Sequence, residues 1–353
     1  MIATPHLFIS EGEKASIVSR ATNQFFLKKE SHFLMYHIGV DLGGTNIAVG
    51  IVDESMKVLC KGSVPTLPER GAEAIVADMA KLSASLLSDA GIPLSDVIDA
   101  GIASPGVCNR ATATVEYSCN LPFCHFPIGE MFRKYLAVPK VYVENDANAA
   151  ALAEALAGAA KGTKNSVMIT LGTGVGGGII IDGKIYSGFN FAAGELGHVV
   201  IVKNGRQCGC GRRGCWETYS SATGLTNMTR EKVTELSLKG IPSLMVDEYK
   251  TNGKITARTA FDCMRKGDAA AQEVVDEYIS YLACGISNMI NIFQPEVLSI
   301  GGGICNEKHY LLDPLKVIVD REQYTRNDKQ KTVLKIAEMG NDAGIVGAAG
   351  LGL

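Results

Sequence analysis

The stretch YHIGVDLGGTNIAVGIVDES, from Tyr36 to Ser55, decides the fold. An apolar, β-branched run enters a turn of glycine and threonine, and a second apolar run leaves it. Apolar runs on both sides of a glycine turn predict a β-hairpin. The turn itself, DLGGTN, has glycines whose backbone can approach an anion closely, with a threonine hydroxyl beside them. It therefore suits a phosphate group, although a plain hairpin turn also explains it.

A second stretch, SVMITLGTGVGGGIIIDGKIYSG from Ser166 to Gly188, repeats this design. Its glycine turn is LGTGVGGG, from Leu171 to Gly178. Self-similar segments of this kind predict two related α/β halves, each opening with a hairpin. The two turns would then face each other across a cleft and hold a polyphosphate from both sides. Neither turn precedes a helix, so a dinucleotide-binding fingerprint is not predicted.

Helical and extended patterns alternate along the rest of the chain. Apolar spacing predicts a helix within 71–93, and VIDAGIASPGV predicts a buried strand that ends in a Pro-Gly turn. A strand should change to a helix at Asn145-Asp146, and a long helix is expected over Ala271–Phe293. EVLSIGGGI predicts a strand that ends in a third glycine turn, and NDAGIVGAAGLGL predicts a short apolar helix with Asn341-Asp342 at its cap.

Length and composition narrow the class of protein. At 353 residues the chain is long for one core, and we expect a smaller domain over 36–145 plus 341–353 and a larger one over 146–340. Residues 1–35 are poorly patterned and are expected to form an extension. Hydrophobic residues make up 46% of the chain, as in an ordinary globular protein. The net charge of −3 provides no excess of positive charge that would attract nucleic acid or an anionic membrane.

Targeting signals are also missing from the sequence pattern. No run is apolar for the eighteen or more residues of a transmembrane helix, and the first residues lack the basic and apolar regions of a secretory signal. We therefore expect a cytoplasmic protein with reduced thiols and small-molecule partners. Seven of the ten cysteines are expected to be small core hydrophobes: Cys60, Cys108, Cys119, Cys124, Cys263, Cys284 and Cys305.

Two carboxylates are candidates for chemistry. Asp41 ends an otherwise apolar strand, and a hydrated Mg²⁺ is a suitable partner because this ion takes one or two carboxylates together with substrate phosphates. In ENDANAA, from Glu144 to Ala150, Asn145 or Asp146 suits the N-cap of an alanine-rich helix. Asp146 also lies where a general base would be needed, and capping and catalysis are compatible.

The remaining cysteines predict a metal site. Cys208, Cys210 and Cys215 form a C-x-C-x4-C pattern with His198 upstream, a tetrahedral set that suits a structural Zn²⁺. Unliganded core cysteines are the alternative. Glu195 and Glu217 lie within three residues of a ligand, so a bound metal would fix their carboxylates as acceptors for the hydroxyls of a polyol. Solvated surface glutamates are the alternative for this pair.

Taken in order, DLGGTN, ENDAN, LGTGVGGG, ELGH and CGCGRRGCWE resemble the ROK family (repressors, open reading frames and sugar kinases), most closely its bacterial-type glucokinases. The resemblance runs from about Tyr36 to the C-terminus. It implies an α/β actin-like ATPase fold of the ribonuclease H-like class: two domains flank a deep cleft, and the final helix packs on the N-terminal domain. It also implies transfer of a phosphoryl group from ATP, with Mg²⁺, to the 6-hydroxyl of glucose.

The same resemblance implies roles for single residues. Asp146 would be the catalytic base, and His198 would turn one ring nitrogen to zinc and the other toward the sugar. The remaining sugar-binding candidates are Ser104, Gly106, Asn120, Asn145, Glu195 and Glu217. The ATP-binding candidates are Asp41, Gly43, Gly44, Thr45, Asn46, Gly172, Thr173 and Gly174 for the phosphates and Mg²⁺, with Gly301, Gly302 and Gly303 for the adenosine.

The preferred sugar stays open at this point. N-acetylglucosamine and N-acetylmannosamine kinases share the zinc knuckle and are the runner-up, whereas ROK fructokinases usually space these ligands differently. Sugar-sensing repressors of the family carry a winged-helix domain before the first glycine turn, and no clear helix-turn-helix pattern precedes Tyr36. By analogy with the family we expect a homodimer or a homotetramer.

Overall fold

Two five-stranded sheets with the same strand order carry the fold. The computed structural model describes residues 35–353, so all of the predicted extension except Met35 lies outside the described residues. The strands of the first sheet are β1 (Tyr36–Leu42), β2 (Asn46–Asp53), β3 (Val58–Pro65), β4 (Val97–Ser104) and β8 (Lys140–Asn145), in the order β3-β2-β1-β4-β8.

The second sheet repeats this arrangement in the C-terminal half. Its strands are β9 (Ser166–Leu171), β10 (Val175–Ile181), β11 (Lys184–Ile185), β12 (Val297–Gly301) and β13 (Val333–Ile336), in the order β11-β10-β9-β12-β13. In both sheets the opening hairpin is antiparallel and the next two strands are parallel to its first strand. The predicted internal repeat and its two hairpins are confirmed.

Helices cover the sheets, and a small third sheet extends the first half. The small sheet contains β5 (Val107–Asn109), β6 (Thr114–Tyr117) and β7 (Cys124–Phe126). The helices are α1 (Ala72–Asp89), α2 (Ile128–Tyr135), α3 (Asp146–Ala157), α4 (Glu217–Ser220), α5 (Ala222–Lys239), α6 (Leu244–Asn252), α7 (Thr259–Arg265), α8 (Ala269–Phe293), α9 (His309–Glu322) and α10 (Ala343–Ala349).

Glycines on the first sheet allow the last helix to lie directly on it. A Cβ added at Gly39 of β1 would collide with the carbonyl oxygen of Ile345, and one at Gly101 of β4 would collide with that of Ala348. Because no side chain separates them, the backbone of α10 approaches both strands closely. This contact agrees with the final helix returning to the N-terminal half.

Each large sheet has its own apolar core. Ile38, Val40 and Ile102 are buried in the first core, while Trp216 and Tyr278 are buried in the second. Residues Tyr36–Leu353 nevertheless form one compact unit, and the domain boundaries at 145/146 and 340/341 stay a prediction. Among residues 35–353, no helix is both long enough and apolar enough to cross a membrane.

Two expectations from the sequence need correction. Cys119 and Cys124 are exposed rather than buried, because they lie in and beside the small sheet, where few residues cover them. The side chain of Asp342 makes no capping hydrogen bond at α10, and its carboxylate pairs instead with the ammonium of Lys61. A 3₁₀ turn over Gly340–Asp342 leads into the helix in place of a side-chain cap.

Candidate active site

A cavity of about 1060 Å³ opens along the second sheet. This volume lies at the upper end of the range for small-molecule sites. Predicted site residues from the β9–β10 turn, the zinc knuckle and the third glycine turn share its wall: Gly172, Gly174, Glu195, His198, Glu217, Gly301, Gly302 and Gly303. The residues lining this cavity do not include Asp146 or the first glycine turn at 43–46.

The imidazole of His198 has a different neighbour on each ring nitrogen. Its Nδ1 lies 3.7 Å from Cys208 Sγ and 3.6 Å from Glu217 Oε1. Its Nε2 lies 3.9 Å from Glu195 Oε2. Nδ1 therefore faces both a cysteine and the Glu217 carboxylate, and Nε2 faces the Glu195 carboxylate on the cavity wall; the dual role of His198 stays a prediction.

The four predicted metal ligands come together in the structure. The ligand atoms of His198, Cys208, Cys210 and Cys215 all lie within 4.8 Å of one another. Glycines at 211 and 214 have positive φ angles of 88° and 84°, which turn the knuckle sharply between the cysteines. Three thiol sulfurs and one imidazole nitrogen at this spacing fit a tetrahedral zinc ion.

Asp146 is the first residue of α3, and its surroundings fix its position. Asn145 caps this helix, since its side-chain oxygen accepts hydrogen bonds from the backbone N–H groups of Ala147 at 2.9 Å and Asn148 at 3.3 Å. Asp146 Oδ1 also accepts the Ala147 N–H, at 2.9 Å. Burial raises the pKa of Asp146 above its ordinary value, although the hydrogen bond from Ala147 opposes this shift.

A second carboxylate lies close to Asp146. Asp41 is half-buried near the end of β1, and burial together with the charge of Asp146 raises its pKa to about 6. Carboxylate oxygens are the ligands that Mg²⁺ prefers, and this ion would relieve the repulsion between the two groups. The chemistry of this pair therefore fits the predicted magnesium site.

Close backbone contacts connect the first turn of α3 with the glycine turn of the second sheet. A Cβ added at Gly178 of β10 would lie 2.8 Å from the carbonyl oxygen of Ala147. In the turn directly before the same strand, a Cβ added at Gly174 would lie 2.5 Å from Glu217 Oε2. The first turn of α3 therefore packs against β10, and the glycine turn that precedes β10 lies beside Glu217.

The remaining sugar-binding candidates lie at the ends of two strands of the first sheet, in the turn after β4 and in the small sheet. Asn145 Nδ2 donates to the carbonyl oxygen of Gly106 at 3.2 Å, which joins the Pro-Gly turn to the start of α3. Ser104 is fully buried, and its hydroxyl donates to the Pro105 carbonyl oxygen at 3.3 Å. Asn120 is exposed, and its Cβ lies 4.0 Å from the position a Cβ would take on Gly44. The first glycine turn and Asn120 are therefore neighbours.

Gly43 and Gly302 shape the first and third glycine turns. Gly43 N–H donates to the Asn46 carbonyl oxygen at 2.9 Å and closes the first turn. Gly302 has a φ angle of 97°, and a Cβ on it would collide with the carbonyl oxygen of Leu171. Only glycine fits at this position, because both the backbone conformation and the space exclude a side chain.

The structure also adds site residues that sequence reasoning missed. Glu144 is fully buried beside Arg110 and Asn148, and Glu154 on α3 accepts backbone hydrogen bonds from Glu338 at 3.1 Å and Met339 at 2.8 Å. Glu144 could have been identified from the sequence, because a carboxylate near the end of an apolar strand needs a partner when it is buried. Three residues at the start of α9 line the cavity without a sequence signal: Lys308, His309 and Asp313.

Known proteins resemble this chain over nearly its whole length. The glucokinase of Halalkalibacterium halodurans is 36% identical over 317 residues, which cover 90% of this chain and 94% of that protein. The glucokinase of Thermotoga maritima is 38% identical over 320 residues, which cover 89% of this chain and 96% of that protein.

A solved structure and a family profile agree with these relatives. The ROK family glucokinase of Streptomyces griseus, solved in complex with glucose and AMPPNP, has a TM-score of 0.69 at 34% identity, and the match covers 90% of this chain and 98% of that one. This likeness and the paired sheets establish the predicted actin-like ATPase fold. The profile of the ROK family matches residues 37–353. The chain belongs to the ROK family.

Proposed function

We propose that this chain is a glucokinase, which transfers the γ-phosphoryl group of ATP to the 6-hydroxyl of glucose. The position of Asp146 carries the proposal. Its half-buried carboxylate begins α3 beside the sugar-binding candidate Asn145, and β10 connects that point to the glycine turn that suits phosphate. A base, a polyol site and a phosphate turn are the parts that such a transfer needs.

In this reaction the protein accepts one proton. Asp146 accepts the proton of the 6-hydroxyl while the hydroxyl oxygen bonds to the γ-phosphorus, and the bond from that phosphorus to the ADP oxygen breaks. Its raised pKa makes Asp146 a stronger base than a solvated aspartate. Such base assistance is typically worth about 10²- to 10⁴-fold in rate.

The sugar is held by groups on both sheets. We propose that Asn145, Glu195, His198 and Glu217 bind the pyranose hydroxyls, and that the turn over Ser104–Gly106, together with Asn120, closes the same pocket. Because Ser104 is fully buried, its contribution is to the shape of that turn. A site whose polar groups are fixed before binding loses little freedom when the sugar arrives.

The phosphoryl donor lies between the glycine turns. The residues proposed for the phosphates are Gly43, Gly44, Thr45, Asn46, Gly172, Thr173 and Gly174, and those for the adenosine are Gly301, Gly302 and Gly303. Asp41 would hold Mg²⁺, which neutralises phosphate charge when it is bound. Closure of the cleft would bring the first turn to the cavity wall and exclude water.

Zinc has a structural role in this proposal. His198, Cys208, Cys210 and Cys215 would fill its four positions, and the ion would hold the knuckle so that Glu195 and Glu217 keep their places. The closely grouped ligand atoms support this assignment. With no open position at the ion, the reaction stays with Asp146 and the glycine turns.

A coupled assay across glucose, mannose, N-acetylglucosamine, N-acetylmannosamine and fructose, with ATP and Mg²⁺, tests the proposal. We expect the highest kcat/KM for glucose. A higher value for an N-acetylhexosamine would support the alternative, which rests on the zinc knuckle shared with those kinases. No turnover with any sugar, together with tight sequence-specific DNA binding, would favour the third candidate, a sugar-sensing repressor.

We also propose a cytoplasmic enzyme that forms a homodimer or homotetramer and has no nucleic-acid or membrane partner. The family resemblance supports the oligomer, and a net charge of −3 gives no attraction to nucleic acid. Light scattering after size exclusion measures the oligomeric state. A monomer at micromolar concentration would contradict this part of the proposal.

A further inference from the structure

A fully buried carboxylate lies two residues before the proposed base. Glu144 is the penultimate residue of β8, and its side chain is completely shielded from solvent. Its Oε1 accepts two hydrogen bonds, from the Asn145 backbone N–H at 2.9 Å and from Asn148 Nδ2 at 3.0 Å. Both donors belong to the turn that starts α3, so this one oxygen holds the Asn145 backbone before Asp146 and the Asn148 side chain after it.

The second oxygen of Glu144 faces a cation from another part of the fold. Arg110 Nε lies 3.3 Å from Glu144 Oε2. Arg110 directly follows β5 of the small sheet, and Asn120 lies between β6 and β7 of the same sheet. Burial raises the pKa of Glu144, and the hydrogen bonds and Arg110 oppose that shift. An ion pair thus joins the small sheet to the strand that ends at Asn145.

Asn148 extends this connection toward the second sheet. It is 1% exposed, and its Oδ1 has no hydrogen-bond partner among the described residues. A Cβ added at Gly194 would lie 3.3 Å from that oxygen, so Asn148 lies against the segment that carries Glu195. Glu144 holds the amide of Asn148 from the other side, because its Oε1 accepts Nδ2.

We propose that Glu144 is a positioning residue for phosphoryl transfer, because its buried carboxylate joins Arg110 to the Asn145–Asn148 turn and holds both sides of the sugar pocket in register around Asp146. This inference rests on the proposed function. It assigns Glu144 no contact with sugar or nucleotide. Glu144 acts through Asn145, which binds the sugar, and through Asp146, which takes the proton.

Glu144→Gln is the first test, since it keeps the size of the side chain and removes its charge. Gln places an amide N–H₂ where a carboxylate oxygen now meets Arg110 or the Asn145–Asn148 donors, so one contact is lost. Misplacing reacting groups by about 1 Å can cost about a hundredfold in rate. We expect the glucose KM to rise and kcat to fall, each by about tenfold or more, while the ATP KM stays within about twofold.

The difference between the two KM values separates positioning from stability. A residue that only stabilises the fold lowers the active fraction and leaves both KM values unchanged. Glu116→Gln is the control, because the Glu116 carboxylate likewise accepts from an asparagine amide and faces a basic side chain, here His125, on the small sheet but lies outside the proposed site. The control should keep wild-type values for both substrates.

Arg110→Gln tests the other end of the ion pair and keeps the proposal falsifiable if Glu144→Gln does not fold. It should raise the glucose KM in the same direction, and the double variant should be no worse than the poorer single variant, because contacting residues are not additive. Wild-type glucose KM and kcat in folded Glu144→Gln, or an unchanged glucose KM in Arg110→Gln, would overturn the proposal. Absence of any sugar phosphorylation by the wild-type chain would instead refute the proposed function.

Discussion

Burial and the neighbouring carboxylate of Asp146 raise the pKa of Asp41 to about 6. Both groups must be ionised for the proposed reaction, Asp146 to accept a proton and Asp41 to hold Mg²⁺. In the absence of ligand, however, ionisation of Asp41 costs more free energy in the folded protein than in the unfolded chain. The site therefore gives up stability at neutral pH, a loss that binding of a cation would reverse.

Asp41→Asn should stabilise the ligand-free protein at pH 8 and abolish activity. A carboxyl whose pKa is higher in the folded state than its model value of 3.8 binds protons more tightly when folded, so stability falls as the pH rises from about 4 through about 6. The asparagine side chain of the variant cannot ionise, so the variant avoids this loss. We expect the difference in the free energy of unfolding to be about 1–3 kcal/mol. Below pH 4 the difference should vanish.

Urea unfolding of both proteins at pH 4 and pH 8, without Mg²⁺ or nucleotide, measures this effect. Added Mg²⁺ and ATP should raise the midpoint of the wild type more than that of the variant. A variant that is equally stable or less stable than the wild type at pH 8 would show that burial and the Asp146 charge do not raise the pKa of Asp41.

Asp146→Asn should lower kcat by about 10²- to 10⁴-fold, because an amide cannot accept the hydroxyl proton. The glucose KM should change little, since the side chain keeps its shape and its place at the start of α3. Asp182→Asn is a suitable control: Asp182 lies in the turn between β10 and β11 at a φ of 51°, which asparagine tolerates. Near-normal turnover in Asp146→Asn would rule out its role as base.

The pH dependence of the wild type gives an independent measure of the same group. Because burial raises the pKa of Asp146 above 3.8, kcat/KM for glucose should decline on the acidic side at a pH above that value. The part of this acidic limb that belongs to Asp146 should be absent from the residual activity of Asp146→Asn, and only the part that belongs to Asp41 should remain. A limb that persists unchanged in the variant would assign the titration to another carboxylate, such as Asp41.

Metal analysis and one cysteine substitution test the knuckle. The purified wild type should contain one zinc per chain, and Cys210→Ser should lose it because the hydroxyl is a poor ligand for this ion. Without the ion, Glu195 and Glu217 lose their support, and we expect the glucose KM to rise by about tenfold or more. Cys124→Ser, at an exposed cysteine outside the cluster, should keep both zinc and KM. Zinc-free wild type with full activity would contradict the proposal.

Local patterns predicted much of this molecule because the residues concerned are neighbours in sequence. The hairpins around DLGGTN and LGTGVGGG follow from apolar runs and glycines, and their repetition predicted the two matched sheets. The ligands from Cys208 to Cys215 lie within one knuckle, so their spacing alone indicated their meeting. Asn145 capped its helix as its residue type predicts.

Contacts between distant segments could not be predicted in the same way. Arg110 and Glu144 are far apart in sequence and meet only because β4 and β8 pair in parallel and carry the small sheet to that edge. Cys119 and Cys124 were expected in a core, yet they belong to a small sheet that leaves them in solvent. Asp342 was expected to cap α10, but the position of Lys61 on β3 gave it another partner.

Gly302→Ala tests whether the third glycine turn depends on one backbone conformation. The alanine would take a φ of 97° and its Cβ would collide with the Leu171 carbonyl oxygen, so β9 and β12 would have to separate. We expect a loss of about 1–3 kcal/mol in the free energy of unfolding. The ATP KM should rise as well, because Leu171 leads into the glycine turn that we propose binds the phosphates. Gly303→Ala is the comparison for stability, since a Cβ there meets nothing within 4 Å. Equal unfolding midpoints for the two variants would show that the turn tolerates a side chain at position 302. The glycine there would then not be explained by backbone conformation and space.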